Sequence, residues 1–146
     1  MNWRNIDWKK LLLTFEGRID RTHFWIGIGV ATAISLVGMV VGMIVPRVGS
    51  ILALVFNLVA LVPSVAVGLK RLHDRDKDWH WLLVFYLLPV ALPLAVGFIS
   101  LSLLLPAQLV ALGLVGWCIY ELGVQKGTEG PNRYGPPPPS ALPATA

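Results

Sequence analysis

Charged residues are missing from two long stretches of this chain. No Asp, Glu, Lys or Arg occurs from Trp79 to Tyr120, and Arg47 is the only one from Thr22 to Leu69. A charged side chain is costly at the centre of a lipid bilayer, and a helix that crosses one needs about 20 largely apolar residues. Each stretch is long enough for two crossings. The sequence therefore predicts an all-α integral membrane protein with four transmembrane helices in two hairpins.

Charge is scarce overall, and cysteine nearly absent. Charged residues make up 14% of the 146 residues, whereas soluble domains carry roughly 25%. The net charge of +4 does not indicate nucleic acid as a partner, because the charges lie in short patches beside the apolar stretches. Such patches fix the orientation of membrane proteins. Cys118 is the only cysteine, which excludes an internal disulfide.

The apolar pattern predicts one four-helix membrane domain over residues 1–136. Its spans are predicted at about residues 24–45, 50–69, 81–99 and 107–122. Apolar residues recur every three to four positions in residues 1–21, which predicts an N-terminal amphipathic helix in the headgroup layer. Residues 137–146 are rich in proline and are predicted to form a disordered tail.

The basic residues are distributed unequally between the predicted ends of the bundle. Arg47 alone lies in an outer turn, whereas eleven of the twelve Lys and Arg residues lie in the N-terminal segment, the central loop and the C-terminal segment. Loops rich in Lys and Arg remain in the cytoplasm. We therefore expect a multi-pass membrane protein with both termini in the cytoplasm.

A stripe of small residues runs along the first span. Membrane helices approach closely where such residues recur at helical spacing. Packing against the protein's own helices is the favoured interpretation, and homodimerisation is the alternative. Asn57, near the middle of the second span, is expected to hydrogen-bond to another helix. The stripe consists of Gly27, Ala31, Ser35, Gly38 and Gly42.

Three charged segments flank the spans, over residues 15–25, 70–74 and 127–135. They read FEGRIDRTHFW, KRLHD and GTEGPNRYG. In this order, with hydrophobic hairpins between them, they resemble the bacterial inner-membrane proteins catalogued as domain of unknown function 805. The resemblance covers about residues 8–136. It implies a multi-pass protein of the bacterial cytoplasmic (inner) membrane and leaves its activity open.

Arginine and carboxylate side chains recur in these segments. Arginine binds carboxylates and phosphates with two parallel hydrogen bonds, so two uses compete. The arginines could bind a lipid headgroup or another anion; these are Arg18, Arg21, Arg71, Arg75 and Arg133. Alternatively, Arg–Asp pairs and hydrogen bonds to helix-end carbonyls could tie the hairpins and tail together. The polar partners expected in such a network are Asp20, His73, Asp74, Asn132 and Tyr134.

Other site chemistries have little support in the sequence. The three histidines are scattered over separate segments, so no metal site and no cofactor is expected. His73 and Asp74 could serve acid–base chemistry on a lipid phosphate, but no sequence motif marks a nucleophile. A small transporter or channel subunit is the alternative, although the spans are very apolar.

The leading hypothesis from the sequence is a non-enzymatic membrane module. It would bind anionic lipid or a membrane-protein partner through its cytoplasmic basic face, because the informative polar residues gather there. A homo-oligomer remains open.

Overall fold

A computed structural model describes residues 6–138 of the chain. In that part, four helices are long and apolar enough to cross a membrane. A short helix, α1 (Trp8–Leu13), precedes them. The long helices are α2 (Arg21–Ile44), α3 (Gly49–Asp74), α4 (His80–Ile99) and α5 (Leu101–Val124). Helix α2 pairs with α3, and α4 pairs with α5. The predicted architecture of two helical hairpins and an N-terminal helix is confirmed.

Side-chain caps determine where the first two helices begin. The Asp7 carboxylate accepts a hydrogen bond from the Lys10 N–H at the start of α1. The Asp20 carboxylate accepts one from the His23 N–H at the start of α2, at 2.8 Å. These bonds satisfy amides that have no partner within the helix. Gly17 lies between the helices with φ +87°, a conformation that glycine adopts without strain.

The hairpin of α2 and α3 is packed through the small residues of α2. A Cβ added at Gly27 would lie 2.3 Å from Val67 Cγ1, and one at Gly38 would lie 2.4 Å from Phe56 Cβ. The stripe residues Gly27, Ala31 and Gly38 are buried, whereas Ser35 and Gly42 are half-buried. This face of α2 therefore lies against the protein's own α3. Such close approach increases the dispersion contacts that hold helices together in lipid.

Two wide helical turns interrupt the second hairpin. The Leu88 N–H bonds to the Leu83 carbonyl, five residues back, and Gln125 bonds in the same way to Tyr120. The first wide turn immediately precedes Pro89, which cannot donate the next hydrogen bond. A proline ring also clashes with the carbonyl four residues back, and a wide turn relieves that clash.

The helices extend beyond several of the predicted spans. Helix α3 continues past Leu69 to Asp74, because the charged side chains of its last turn are buried against other segments of the protein. Helix α5 begins at Leu101 and not near Ala107. Pro106 lies in the first turn of its regular α-helical part, where a missing N–H costs little. The predicted tail falls on Pro137 and Pro138, which have no regular structure, and on residues 139–146, outside the described residues.

Asn57 does not form the expected hydrogen bond between helices. Its Nδ2 donates to the Ala53 carbonyl of the same helix at 2.8 Å, and its side chain is exposed on the bundle. The contact with α2 runs through Ala53 and Phe56. Because successive residues of a helix are rotated by about 100°, Asn57 lies beside that contact face and not on it.

The two hairpins meet at one end and separate toward the other. Their contact reaches into the spans as far as Tyr86, whose hydroxyl donates to the Ser64 carbonyl at 3.1 Å. Val124 and its preceding turn approach α2 and α3, and the start of α4 approaches α3. In the described residues, no Cα atom of Leu88–Ile99 or Leu104–Cys118 lies within 8 Å of α2 or α3. The shared apolar core lies at the joined end and consists of Leu11, Ile19, Phe24, Val67, Leu72, Phe85 and Leu122. The charged segments are at this same end.

Candidate functional site

The joined end of the bundle is the candidate site. We call it the charged face and define it as residues 6–21, 70–80 and 121–138. It contains α1, the inner ends of the four long helices and the C-terminal segment, residues 125–138. The core beneath the face brings together segments that are far apart in the sequence.

Asp74 is the centre of the charged face. Its carboxylate pairs with Arg18, with Arg18 Nη2 2.9 Å from Asp74 Oδ1. The other carboxylate oxygen accepts a hydrogen bond from Arg71 Nη1. The Asp74 side chain is 4% exposed, and those of both arginines are 1% exposed. A buried carboxylate needs this degree of pairing, because removing one partner of a buried ion pair costs about 3–5 kcal/mol.

Arg18 joins the N-terminal part of the chain to the C-terminal segment. Its Nη1 donates to the carbonyls of Gly130 and Gly135, at 2.9 and 3.2 Å. Its Nη2 donates to the Thr128 carbonyl at 2.8 Å, and Nε donates to Asp74 at 3.0 Å. All three nitrogens of the guanidinium therefore have protein acceptors.

Arg71 joins the two hairpins. Its Nε donates to the Leu122 carbonyl of α5 at 2.8 Å, and Nη2 donates to the Gln125 carbonyl. Its Nη1 also lies 3.4 Å from the Ile19 carbonyl, just before α2. Carbonyls at the end of a helix lack intrahelical partners, and a cation there also interacts favourably with the helix dipole. One side chain of α3 thus holds α5 and the start of α2.

A second carboxylate, Glu121, pairs with the loop after α3. Arg75 Nη2 and Lys77 Nζ lie 2.9 and 2.8 Å from Glu121 Oε1. The Lys77 ammonium also lies 4.2 Å from the centre of the Trp81 ring. The Glu121 side chain is 8% exposed and those of Arg75 and Lys77 are 22 and 24% exposed, so these two ion pairs form a further, partly buried link between the hairpins.

The C-terminal segment folds back over the end of α3. The Tyr134 ring stacks on His73, with centroids 3.9 Å apart and planes 10° apart. Asn132 Nδ2 donates to the His73 carbonyl at 2.9 Å. A Cβ at Gly127 would lie 2.0 Å from Asp74 Oδ2, so the segment can approach this closely only through glycine.

The outer part of the segment carries exposed ion pairs. Arg133 lies 3.0 Å from Asp76 Oδ1 and 3.2 Å from Asp78 Oδ1, with all three side chains about half exposed. The Tyr134 hydroxyl donates to Asp78 Oδ1 at 2.7 Å. This hydrogen bond lowers the pKa of Asp78. Burial, and after it the same hydrogen bond, raises the pKa of Tyr134.

Three residues hold the start of α2 and α1 in place. His23 Nδ1 lies 2.6 Å from Asp20 Oδ1, and the exposed Arg21 donates from Nη1 to the Val124 carbonyl at 3.1 Å. Lys70 is 2% exposed, and its ammonium donates to the carbonyls of Lys10 and Leu11.

Within residues 6–138, no three His, Cys, Asp or Glu side chains are arranged to hold a metal ion.

The structure brings the predicted site residues together at one face, but it gives them different surroundings. Arg18 and Arg71 are buried, Arg75 is half-buried, and Arg21 and Arg133 are exposed. Sequence reasoning missed Glu121 and Lys70 as members of this site. Glu121 is the first charged residue after the stretch from Trp79 to Tyr120, and Lys70 is the first after the stretch from Thr22 to Leu69. Their positions at the ends of spans were a signal that could have identified both.

The arrangement defines a polytopic α-helical membrane protein with a polar network at one end. The chain belongs to the DUF805 family of proteins of unknown function, which it matches over residues 12–136. The resemblance noted in the sequence is confirmed.

Relatives of the chain include three Escherichia coli (strain K12) proteins. It is 34% identical over 138 residues to the uncharacterized protein YiiR, covering 85% of each chain. It is 29% identical over 128 residues to the inner membrane protein YhaI, again over 85% of each. It is 30% identical over 132 residues to the inner membrane protein YhaH, over 85% of this chain and 86% of YhaH. No solved structure matches the chain. The protein is therefore a multi-pass inner-membrane protein.

Proposed function

We propose that the protein is a non-enzymatic membrane module whose charged face lies in the cytoplasm and binds anionic lipid. The excess of Lys and Arg at this face supports the orientation, because such residues are retained on the cytoplasmic side. Both termini would then be cytoplasmic. The proposal concerns recognition of lipid headgroups and includes no chemical step.

The position of α1 carries this proposal. Its Leu11 is buried in the core, and Lys70 binds the carbonyls at its C-terminal half, which fixes one side of the helix to the bundle. Trp8, Leu13 and Phe15 remain 45, 57 and 44% exposed. Exposed aromatic and aliphatic side chains beside Lys residues are typical of helices that lie in the headgroup layer.

The arginines divide between a structural and a lipid-binding role. Arg18 and Arg71 direct their donors to protein carbonyls and to Asp74, which supports a structural role. Arg21 is exposed next to the first span, and Lys9 is exposed on α1. Each exposed Lys or Arg near an anionic membrane surface contributes about 1 kcal/mol. We therefore assign lipid binding to Lys9 and Arg21.

Native mass spectrometry of the full chain in nanodiscs tests the proposal. The nanodiscs contain phosphatidylcholine with a minority of phosphatidylglycerol. We expect the released protein to retain phosphatidylglycerol preferentially, and the double variant Lys9→Gln/Arg21→Gln to lose most of that preference. Two charges at about 1 kcal/mol each correspond to a loss of about thirtyfold. Arg47→Gln removes a cation from the opposite end and serves as the control.

Equal retention by the double variant and the wild type would overturn the lipid assignment. So would an equal loss in Arg47→Gln, because the effect would then follow from net charge and not from the charged face. Retention of a co-purified protein in place of lipid would support the membrane-protein partner that the sequence left open.

A further inference from the structure

A cavity of about 560 Å³ lies between α1 and the C-terminal segment. Ligand pockets in proteins commonly have volumes of about 300–1,000 Å³. Asp20, which caps the first span, and Lys70, near the end of the second, both line the cavity. The cavity is therefore at the depth where two spans reach the headgroup layer.

Two buried cations line this cavity, Arg18 and Lys70, and the three guanidinium nitrogens of Arg18 already have protein acceptors. The Lys70 ammonium lies 2.7 Å from the Lys10 carbonyl and 2.6 Å from the Leu11 carbonyl. A lysine ammonium has three N–H donors, so among the described residues one donor has no assigned acceptor. Lys10, which is exposed, also lines the cavity. A phosphate oxygen is an acceptor that two neighbouring ammonium groups bind well.

Carboxylates line the same cavity. Asp7 and Asp20 are N-caps of α1 and α2, and each accepts a backbone hydrogen bond. Glu16 also lines the cavity, is exposed, and forms no hydrogen bond with another described residue. These carboxylates offset the cations that line the same cavity, so a ligand that carried only negative charge would leave them without a partner of opposite charge. A ligand with a primary ammonium would find acceptors for its N–H donors.

The remaining lining is apolar. Leu11, Ile19 and Pro137 contribute to it. A ligand with a phosphate, a primary amine and an apolar body therefore matches the three kinds of surface. A phospholipid with an ethanolamine headgroup has this composition, with its acyl chains as the apolar body.

We propose that this cavity binds the headgroup of phosphatidylethanolamine. The phosphate lies at Lys70 and Lys10, and the ammonium lies at Glu16. This site uses different residues from the anionic-lipid surface of Lys9 and Arg21, so either proposal can fail without the other.

The test uses the full chain in nanodiscs of equal amounts of phosphatidylethanolamine and phosphatidylcholine, with a minority of phosphatidylglycerol. Phosphatidylcholine is the matched lipid, because it has the same phosphate and net charge but its quaternary ammonium has no N–H donor. Native mass spectrometry identifies the retained lipid. We expect about tenfold enrichment of phosphatidylethanolamine over phosphatidylcholine, the effect of one charge-assisted hydrogen bond.

Glu16→Gln should remove this enrichment and leave phosphatidylglycerol retention unchanged. Glu129→Gln, which removes an exposed carboxylate outside the cavity, should leave both unchanged. Equal retention of the two zwitterionic lipids by the wild type would overturn the proposal. Enrichment that persists in Glu16→Gln would overturn it as well. Wild-type protein that enriches phosphatidylethanolamine but shows no preference for phosphatidylglycerol would contradict the anionic-lipid surface alone.

Discussion

The Arg18 guanidinium lies against the Asp74 carboxylate, with Nη2 2.9 Å from Oδ1, although the two residues are separated by two membrane spans. The same guanidinium binds carbonyls of the C-terminal segment, and the same carboxylate binds Arg71. The N-terminal segment, both hairpins and the C-terminal segment thus meet at one buried ion pair.

Asp74→Ala should destabilise the charged face strongly. It would leave two buried guanidinium groups without their carboxylate, which should lower the free energy of unfolding by about 3–5 kcal/mol. We expect a lower free energy of unfolding in mixed detergent micelles and faster proteolysis of the C-terminal segment. Asp76→Ala, at an exposed pair with Arg133, is the control and should change stability by about 1 kcal/mol or less. Equal effects of the two variants would contradict the central role of Asp74.

Gly127→Ala should displace the C-terminal segment without removing any polar group. The added methyl group would lie 2.0 Å from Asp74 Oδ2, and two arginines hold that oxygen and its carboxylate in place. Overpacking of this kind costs about 1–3 kcal/mol. Limited proteolysis should show earlier cleavage of the segment than in Glu129→Ala, an exposed change in the same segment. Identical cleavage rates would show that the segment adjusts without cost.

Gly49→Ala should loosen the turn between α2 and α3. A Cβ there would lie 2.3 Å from the Gly42 carbonyl oxygen, and a backbone atom cannot rotate away as a side chain can. We expect the free energy of unfolding, measured by thermal or detergent denaturation, to fall by about 1–3 kcal/mol. Gly29→Ala is the matched control, because nothing lies within 4 Å of its Cβ position. A variant as stable as this control would argue against close packing at the turn.

Thiol labelling should show the charged face on the cytoplasmic side. In a Cys118→Ser background, Ser50→Cys and Glu129→Cys place single thiols at exposed positions at opposite ends of the bundle. A membrane-impermeant maleimide added to spheroplasts should label Ser50→Cys only, and both after permeabilisation. The positive-inside rule is the physical reason. Labelling of Glu129→Cys alone in intact spheroplasts would reverse the proposed orientation.

The bond between Tyr134 and Asp78 should make the C-terminal segment sensitive to pH. The pKa of Tyr134 is raised above its ordinary 10.0. The stabilisation that the protonated phenol gives to the folded segment is therefore complete below pH 10 and is lost as the phenol ionises above pH 10. The pKa of Asp78 is lowered below its ordinary 3.8. The stabilisation that the ionised carboxylate gives is therefore present above pH 3.8 and is lost as the pH falls through the lowered pKa. Tyrosinate absorbance, taken as the difference from Tyr134→Phe, should titrate above pH 10 and shift down in Asp78→Asn. An unshifted titration in Asp78→Asn would show that the bond does not control the phenol.

Membrane insertion and the pairing of helices into hairpins could be predicted from the sequence, because they depend on local quantities. A long apolar run without charged residues is more stable as a helix in the bilayer than in water. A short turn between two such runs makes the spans antiparallel neighbours. The clustering of the predicted polar residues at one face followed from the same topology.

The tertiary structure decided which of those residues are buried and what each one binds. Arg18 and Arg21 are the same residue type three positions apart in one segment. Arg18 is enclosed by Asp74 and the C-terminal segment, whereas Arg21 is exposed. Lys70 was counted from the sequence as one more positive charge, but it holds α1 and lines a cavity. A sequence pattern specifies the local preference of a segment for lipid or water. The partners of a buried charge depend on contacts between distant segments, which form only when the hairpins and the C-terminal segment pack together.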